Sequence, residues 1–496
     1  MPAWTTPDPV ALHAATQPGR IACVDLASGR RWTYSALDEA IQRAVCVLGS
    51  GYDIEPGQRI ATVARNSADL LILQQAAMRL GAIFVPVNWR LAAVERQAIL
   101  ADCEPVLLLH DAGLETAPPV GCVPVEVADF AAAVEAQAPA PRRPLPAADQ
   151  PSIILYTSGT SGRPKGVIVT ERNAFATAVN FGVLGQVGNA SVFLCDAPMF
   201  HVIGLITSLR PPLLQGGTVL ISPGFEPGLT NRRLADPELG VTHYFCVPQM
   251  ARMLRVDAAF APARWTRLTA IFTGGAPNPA ADILWWLEQG VRMVDGFGMT
   301  EAGTVLGMPV EAGQIARKAG SAGLPAPSLS LRIVDDGGRD VAAGQAGEIW
   351  LSGSNVTPGY WNRPDETAQA FTSDGWFRTG DIARRDDDGF ITLVDRRKDM
   401  FISGGENVYP AEVEMALLDH PDIAEAAVIG IADERWGEVG RAFVVLKGVD
   451  RAFDPEAFAA HCAARIARYK VPKEFLLVEA LPRTASGKIQ KHLLRG

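Results

Sequence analysis

Hydrophobic positions in residues 1–110 alternate between helical spacing and short apolar runs. Helical spacing links four residues that predict an amphipathic helix: Leu37, Ile41, Val45 and Leu48. A capping-box pattern places the start of this helix at Ser35, and residues 1–32 are expected to be irregular except for a final strand. The remaining runs predict strands at 59–64, 82–87 and 105–109 and helices at 67–80 and 92–102. This alternation is typical of an α/β fold with a largely parallel sheet.

Beyond residue 166 the pattern continues and then changes twice. Residues 167–320 alternate again, with strands predicted at 191–194, 218–221, 243–246 and 268–273 and a helix near 283–289. Residues 328–395 hold short strands between Asp/Gly turns, and the C-terminal stretch returns to helices and strands. We therefore expect an α/β protein. Its large N-terminal domain has two α/β subdomains and a small β-rich subdomain, and a small α+β C-terminal domain follows.

The composition bounds the class of protein. The chain has 496 residues, 48% of them hydrophobic, which suffices for more than one domain core. A net charge of −9 argues against nucleic-acid binding, and seven cysteines without a C-x-x-C pair indicate a reducing compartment. The N-terminus lacks the features of a signal peptide, and no run suits a membrane span. We expect a cytoplasmic protein without nucleic-acid partners or stable membrane insertion. Composition and charge do not decide the oligomeric state, and a homodimer is one possibility.

A loop rich in glycine and hydroxyl groups separates the two α/β stretches. It lies between two β-prone runs and contains Thr157, Ser158, Gly159, Thr160, Ser161 and Lys165. Accessible backbone N–H groups, hydroxyls and one ammonium suit a polyphosphate. It is not the Walker sequence, because Gly166 rather than Ser or Thr follows the lysine. The same composition also occurs in ordinary hairpin turns, so its interpretation depends on other stretches.

Further stretches carry side chains suited to chemistry. His201 lies among apolar residues, where a packed core histidine is the commoner case, and residues 274–277 form a glycine turn after a strand. Residues 295–301 combine an aromatic ring, which can cover a purine, with the carboxylate of Glu301, which can meet magnesium. Three later stretches also carry candidate groups. Asp381 in residues 376–381 suits the hydroxyls of a ribose, residues 395–407 are rich in charged residues and glycine, and the loop 482–488 offers Lys488.

With all these motifs in order over nearly the whole chain, the sequence resembles the adenylate-forming superfamily of acyl-CoA synthetases, luciferases and peptide-synthetase adenylation domains. The resemblance implies a carboxylate that attacks the α-phosphate of ATP to give an acyl-AMP and pyrophosphate. A thiol then displaces AMP. It also implies ATP, Mg²⁺ and coenzyme A as cofactors and co-substrates.

The resemblance implies a role for each motif. Residues 157–165 would hold the β- and γ-phosphates, Thr300 would contact the α-phosphate, Glu301 would bind magnesium, and Lys488 would bridge the carboxylate and the α-phosphate. The adenine would be lined by Gly275, Ala276, Pro277, Asp295, Gly296 and Phe297, and the ribose would be held by Asp381 and Arg396.

The same resemblance implies two domains that move. An AMP-binding domain would span 1–395, a hinge 396–400 around Lys398, and a mobile C-terminal domain 401–496. After rotation, Gly404 and Gly405 would guide the pantetheine thiol. Trp436 would contact coenzyme A, although a tryptophan that simply packs is nearly as common at such a place.

Departures from other branches narrow the substrate. Amino-acid-activating relatives carry Asp where His201 stands, and acetate-activating relatives carry Trp at Met299, so a larger apolar acid is expected. Residues 298–303 resemble 4-coumarate–CoA ligases, and 403–410 resemble bacterial fatty-acyl and aryl-CoA ligases. Phe297 replaces the usual Tyr. The pocket walls would be Phe200, His201, Gly275, Met299, Thr304 and Val305, and no arginine in these motifs argues for a dicarboxylate.

The resulting interpretation is an ATP-dependent acid–CoA ligase for an arylpropenoic or a medium- or long-chain fatty acid. Two alternatives remain open at this point. The acyl-AMP could be transferred to a carrier protein instead of coenzyme A. A non-catalytic adenylate sensor is the second, and it would predict the loss of Lys488 or Glu301, which are both present.

Overall fold

The described residues form four β-sheets with helices packed on them. The computed structural model describes residues 4–114, 116–139, 141–157, 164–276, 278–396, 399–403, 406–433, 436–448, 451–483 and 489–495. Within these ranges, no helix is both long enough and apolar enough to cross a bilayer.

The strands of the described chain are β1 (Ile21–Asp25), β2 (Arg31–Thr33), β3 (Arg59–Val63), β4 (Ile83–Pro86), β5 (Leu107–His110), β6 (Val123–Glu126), β7 (Pro151–Thr157), β8 (Lys165–Thr170), β9 (Val192–Cys195), β10 (Thr218–Ile221), β11 (His243–Cys246), β12 (Ala270–Thr273), β13 (Met293–Met299), β14 (Gly303–Gly307), β15 (Leu324–Pro325), β16 (Leu329–Val334), β17 (Gly347–Gly353), β18 (Phe377–Arg385), β19 (Ile391–Arg396), β20 (Phe401–Ser403), β21 (Glu406–Val408), β22 (Ile423–Asp433), β23 (Gly437–Leu446) and β24 (Glu474–Leu477). The α-helices are α1 (Pro9–Thr16), α2 (Tyr34–Cys46), α3 (Ala68–Leu80), α4 (Ala93–Cys103), α5 (Val127–Ala136), α6 (Glu171–Leu184), α7 (Arg210–Gln215), α8 (Pro227–Leu234), α9 (Pro248–Val256), α10 (Ala280–Glu288), α11 (Ala312–Arg317), α12 (Pro364–Ala370), α13 (Pro410–Leu418) and α14 (Pro455–Ala463).

Two large sheets carry the N-terminal part of the chain. The N-terminal sheet has the order β6-β5-β3-β4-β7-β8, and the central sheet has the order β15-β14-β13-β12-β11-β9-β10-β1-β2. Most neighbours are parallel, and the β7–β8 hairpin is antiparallel. The prediction of two largely parallel α/β subdomains is confirmed. A parallel sheet needs helical crossovers on its faces, which explains the strand–helix alternation in the sequence.

The first 50 residues differ from the expectation. Helix α1 was not predicted; it begins after Asp8, whose side chain accepts a hydrogen bond from the backbone N–H of Ala11 at 3.0 Å. The cap of α2 is Thr33 rather than Ser35. The backbone of Thr33 is extended, and its Oγ1 accepts a hydrogen bond from the backbone N–H of Ala36 at 3.2 Å. The capping-box prediction at Ser35 was therefore wrong by two positions.

A smaller sheet and a C-terminal sheet complete the fold. The order β16-β17-β18-β19 forms the predicted β-rich unit, and β21-β20-β23-β22 with β24 forms the C-terminal sheet. The C-terminal sheet has its own apolar core, which includes Phe401, Val428 and Phe458. It meets the β-rich sheet where Tyr409 packs against Ile382 and Val394. The predicted α+β C-terminal unit is confirmed.

A buried histidine lies in the central sheet between aromatic rings. The ring of His243 stacks on Phe193 at 4.5 Å and on Phe272 at 5.5 Å between centroids. One ring nitrogen lies 2.8 Å from the Gly185 carbonyl and the other 2.7 Å from Thr242 Oγ1. Burial lowers the pKa of His243 to about 4. The neutral imidazole is thus part of the core.

We expect this histidine to make the fold sensitive to acid. An unfolded histidine has a pKa of about 6.5, so between pH 6.5 and 4 the unfolded chain binds the extra proton. Stability from His243 is therefore present above about pH 6.5 and is lost as the pH falls toward 4, by up to about 3 kcal/mol. The test is the midpoint of thermal unfolding of both proteins at about pH 7.5 and about pH 5. The drop in this midpoint between the two pH values should be smaller for His243→Phe than for the wild type. Equal falls in both proteins would contradict this prediction.

Candidate active site

The predicted phosphate loop joins the two strands of the β7–β8 hairpin. Thr157 and Lys165 face each other as the last described pair, and residues 158–163 lie outside the described residues. Gly166 packs tightly below them, since a Cβ there would lie 2.7 Å from Ile154 Cγ2 and 3.1 Å from Tyr156 Cζ. The two strands expected to flank residues 158–163 are confirmed, and Lys165 is the first residue of the second strand.

Lys165 belongs to a cluster of polar groups. Its Nζ atom lies 3.9 Å from Glu366 Oε1 and 5.4 Å from the centre of the Tyr360 ring. The Tyr360 hydroxyl donates a hydrogen bond to Glu301 Oε1 at 3.0 Å. The tertiary structure thus brings two predicted site residues to one tyrosine side chain, with the phosphate-binding lysine over its ring and the magnesium ligand at its hydroxyl.

A segment between β17 and α12 holds this cluster together. The backbone N–H of Thr357 donates to the Glu301 carbonyl at 2.7 Å, and its hydroxyl donates to the Ile168 carbonyl at 2.6 Å. The backbone N–H of Trp361 donates to the Gly166 carbonyl at 2.7 Å. Sequence reasoning missed this segment; its only signal is an aromatic pair between a glycine and a proline.

The β13–β14 hairpin presents the next group of predicted residues. Thr273 donates from Oγ1 to Asp295 Oδ1 at 3.0 Å and accepts from the Asn278 amide at 3.2 Å. Burial raises the pKa of the Asp295 carboxyl to about 7. Thr300 and Glu301 lie at the turn of the hairpin. Asp295 is therefore a buried, hydrogen-bonded carboxyl beside the end of β12, where a heterocycle was predicted.

Glycines leave bare backbone where β12 ends beside β13. Gly275 has a φ of +83°, and a Cβ on Gly274 would lie 3.1 Å from the Gly296 carbonyl oxygen. The two strand ends can approach this closely only without side chains. This arrangement suits a flat ring lying along the backbone. Ala276 follows, and Pro277 lies outside the described residues.

The two residues predicted to hold a ribose are register partners. Asp381 of β18 pairs with Arg396 of β19, and only the backbone of Arg396 is described. Asp381 is buried, and its N–H donates to Thr379 Oγ1 at 3.0 Å. The preceding Gly380 has a φ of +70° and donates its N–H to Glu348 Oε1 at 3.1 Å. The register of β18 and β19 therefore brings the backbone of Asp381 opposite that of Arg396.

The His201 region is anchored from the N-terminal part of the chain. The Asn66 side chain donates to the Ala197 carbonyl and accepts from the Met199 N–H, both at 2.8 Å. Phe200 is buried with its ring 4.7 Å from the His201 ring. The guanidinium of Arg90 lies 5.9 Å from the Phe200 ring. Arg90 was missed because it lies outside the motifs.

The predicted pocket-wall residue Val305 is packed among apolar side chains. It is fully buried in a cluster with Phe297, Ile349 and Phe377, and its role in a pocket wall stays a prediction. Phe297 is only 9% exposed and packs on the same cluster, as Met299 does in part.

The remaining predicted residues divide into two groups. Trp436 is 41% exposed, and its N–H donates to Asp433 Oδ1 at 2.8 Å. The others lie outside the described residues: Ser158, Gly159, Thr160, Ser161, Pro277, Lys398, Gly404, Gly405 and Lys488.

Comparisons with known proteins agree with this geometry. The profile of the family described as AMP-binding enzyme matches residues 10–361, and that of the AMP-binding enzyme C-terminal domain matches residues 412–488. The chain belongs to the AMP-binding enzyme family.

Relatives within this family are CoA ligases. The chain is 38% identical over 469 residues to feruloyl-CoA synthase of Amycolatopsis sp, covering 94% of each protein. It is 38% identical over 503 residues to indoleacetate–CoA ligase of Aromatoleum aromaticum, covering 97% of this chain and 96% of the relative.

A solved relative extends the comparison to structure. O-succinylbenzoate CoA synthetase (MenE) from Bacillus subtilis in complex with the acyl-adenylate intermediate OSB-AMP has a TM-score of 0.86 and 30% identity, covering 99% of this chain and 98% of that one. The same enzyme with ATP and a magnesium ion has a TM-score of 0.85 and 29% identity, covering 99% of both chains.

Proposed function

We propose that this protein is an ATP-dependent carboxylic acid–CoA ligase whose acid is apolar and aromatic. It joins the acid to AMP and then to coenzyme A. The observation that carries the proposal is the cluster around Tyr360. Its ring lies under a lysine suited to a polyphosphate, and its hydroxyl donates to a carboxylate suited to magnesium. An ordinary hairpin turn would not need this pairing.

In the first half-reaction, a carboxylate oxygen of the acid bonds to the α-phosphorus of ATP while the bond to the β-phosphate oxygen breaks. Charge spreads over the phosphoryl oxygens, so the protein acts mainly through position and electrostatic stabilisation. We assign the leaving pyrophosphate to residues 157–165, the α-phosphate to Thr300 and the reacting oxygens to Lys488. Magnesium held by Glu301 would neutralise phosphate charge.

The nucleoside part of the substrate has fitting partners. The bare backbone at Gly274, Gly275 and Gly296 supports an adenine plane beside the buried Asp295. Asp381 and Arg396, which are register partners, suit the ribose hydroxyls. We assign adenine to the first group and ribose to the second.

In the second half-reaction, the thiol of coenzyme A attacks the acyl carbonyl, and AMP leaves with the electrons of the broken C–O bond. We propose a domain of residues 1–395, a hinge at 396–400 including Lys398, and a mobile domain at 401–496. Rotation would withdraw Lys488 and bring Gly404, Gly405 and Trp436 to the thiol. The separate apolar core of the C-terminal sheet supports this division.

The acid is assigned from the environment of His201. Phe200 and His201 form an aromatic pair, and Met299, the other large side chain assigned to the pocket, is partly buried. Arg90 adds a cation beside Phe200, which suits an electron-rich ring better than an alkyl chain. The relatives named for feruloyl and indoleacetate substrates are consistent with this assignment.

The decisive experiment is AMP release with ATP, magnesium and coenzyme A across a panel of acids. We expect kcat/KM to be highest for bulky aryl acids, lower by about tenfold or more for medium and long fatty acids, and negligible for acetate and amino acids. Higher values for fatty acids would assign the aliphatic branch instead. Activity only with a carrier protein would contradict the ligase proposal.

The proposal includes a cytoplasmic location and small-molecule partners. All seven cysteines are free thiols, and six of them are buried, which suits a reducing compartment. The net charge of −9 gives no electrostatic basis for nucleic-acid binding. Sedimentation of the purified protein tests whether it forms a homodimer.

A further inference from the structure

Tyr360 touches two functional groups that come from different parts of the chain. Its hydroxyl donates to Glu301 Oε1 at 3.0 Å, and the Lys165 ammonium lies 5.4 Å from the centre of its ring. We propose that Tyr360 is a positioning residue that orients the Glu301 carboxylate for magnesium and couples it to Lys165. This inference rests on the proposed function, because it assigns a purpose to Tyr360 within the same site.

The backbone around Tyr360 is tied to the strand that carries Lys165. Tyr360 forms a bridge with Val167, the N–H of Ile168 donates to the Gly359 carbonyl at 3.1 Å, and the N–H of Trp361 donates to the Gly166 carbonyl at 2.7 Å. The backbone of Tyr360 is therefore fixed to β8 beside Lys165.

The other side of the residue is tied to helix α12. The N–H of Tyr360 donates to Thr367 Oγ1 at 3.0 Å. Gly359 has a φ of +148°, and a Cβ there would lie 2.8 Å from Thr367 Oγ1. Glu366, which is adjacent to Thr367, approaches Lys165 at 3.9 Å. The backbone at Tyr360 is thus held from two directions, by β8 and by helix α12.

A fixed donor beside a carboxylate ligand has a known effect. Hydrogen bonds to a metal-binding side chain set its orientation, and losing one typically weakens metal binding 10- to 100-fold. The Tyr360 hydroxyl engages Oε1 of Glu301, and Oε2 takes no part in that hydrogen bond. The ring meanwhile offers its negative face to Lys165, so both groups are preset for a magnesium-bound polyphosphate.

The test is pyrophosphate release from acid and ATP without coenzyme A, measured against magnesium concentration. Tyr360→Phe should raise the half-saturating magnesium concentration about tenfold. The same variant should convert supplied acyl-AMP and coenzyme A to acyl-CoA at the wild-type rate, because no polyphosphate takes part in that step. Tyr360→Leu should in addition raise the KM for ATP, since the ring beside Lys165 is gone.

Tyr156→Phe is the matched control. The Tyr156 hydroxyl donates to Asp102 Oδ2 at 2.6 Å in the same subdomain, so this change also removes a tyrosine–carboxylate hydrogen bond but not one at Glu301. We expect wild-type magnesium dependence. Unchanged magnesium dependence in Tyr360→Phe, or equal losses in both half-reactions, would overturn the inference. A wild-type protein that releases no pyrophosphate with any acid would instead overturn the proposed function.

Discussion

Replacing Lys488 with alanine is expected to lower acyl-AMP formation by a factor on the order of 10³. The resemblance and the proposed function place this ammonium on the oxygens that gain charge as the acid attacks the α-phosphate. No other lysine in the assigned machinery lies on the C-terminal domain. Pyrophosphate release with ATP and the best aryl acid, in the absence of coenzyme A, measures this step directly.

The second half-reaction provides the internal control. Conversion of supplied acyl-AMP to acyl-CoA should stay near the wild-type rate in Lys488→Ala, because the proposed rotation would withdraw the lysine for that step. Lys447→Ala removes an exposed ammonium from the same domain and should leave both half-reactions unchanged. If pyrophosphate release persisted in Lys488→Ala, the role assigned to Lys488 would be wrong.

Gly303→Ala is expected to disrupt the turn that carries Thr300 and Glu301. Gly303 has a φ of +56°, and a Cβ there would overlap Thr177 Oγ1 and lie 2.6 Å from Thr177 Cγ2. Thr177 is buried on helix α6, so β14 would have to move away from the helix. We expect a loss of about 2–3 kcal/mol of stability and at least about a 100-fold fall in acyl-AMP formation. Chemical unfolding and pyrophosphate release measure the two effects.

Two further variants separate steric overlap from backbone strain. Gly290→Ala introduces the same residue at a φ of +79° with no atom within 4 Å, so it should cost only about 1 kcal/mol and leave activity unchanged. The double variant Gly303→Ala with Thr177→Ala removes the two nearest atoms, Thr177 Oγ1 and Cγ2, and leaves Thr177 Cβ at 2.9 Å from the added Cβ, so it should recover part of the activity. A double variant no better than Gly303→Ala would refute the steric explanation.

Much of the fold could be predicted from local pattern. Parallel strands separated by helices produce the alternation that the sequence shows, and the β7–β8 hairpin and the β-rich unit followed from short-range signals. The first 50 residues were less predictable. Helix α1 buries only Val10 among its apolar residues, so it has little periodic signal. Strand β1 pairs with β10, about two hundred residues away, which no local pattern can indicate.

The candidate site divides in the same way. The sequence alone determined which chemical groups this protein has and in what order, because glycine, hydroxyl, carboxylate and lysine motifs are local. Only the tertiary structure decided which of them meet: Tyr360 joins Lys165 to Glu301, and Asp381 is the register partner of Arg396. Such contacts depend on strand register and on packing between distant segments, and those are set by the whole fold rather than by neighbouring residues.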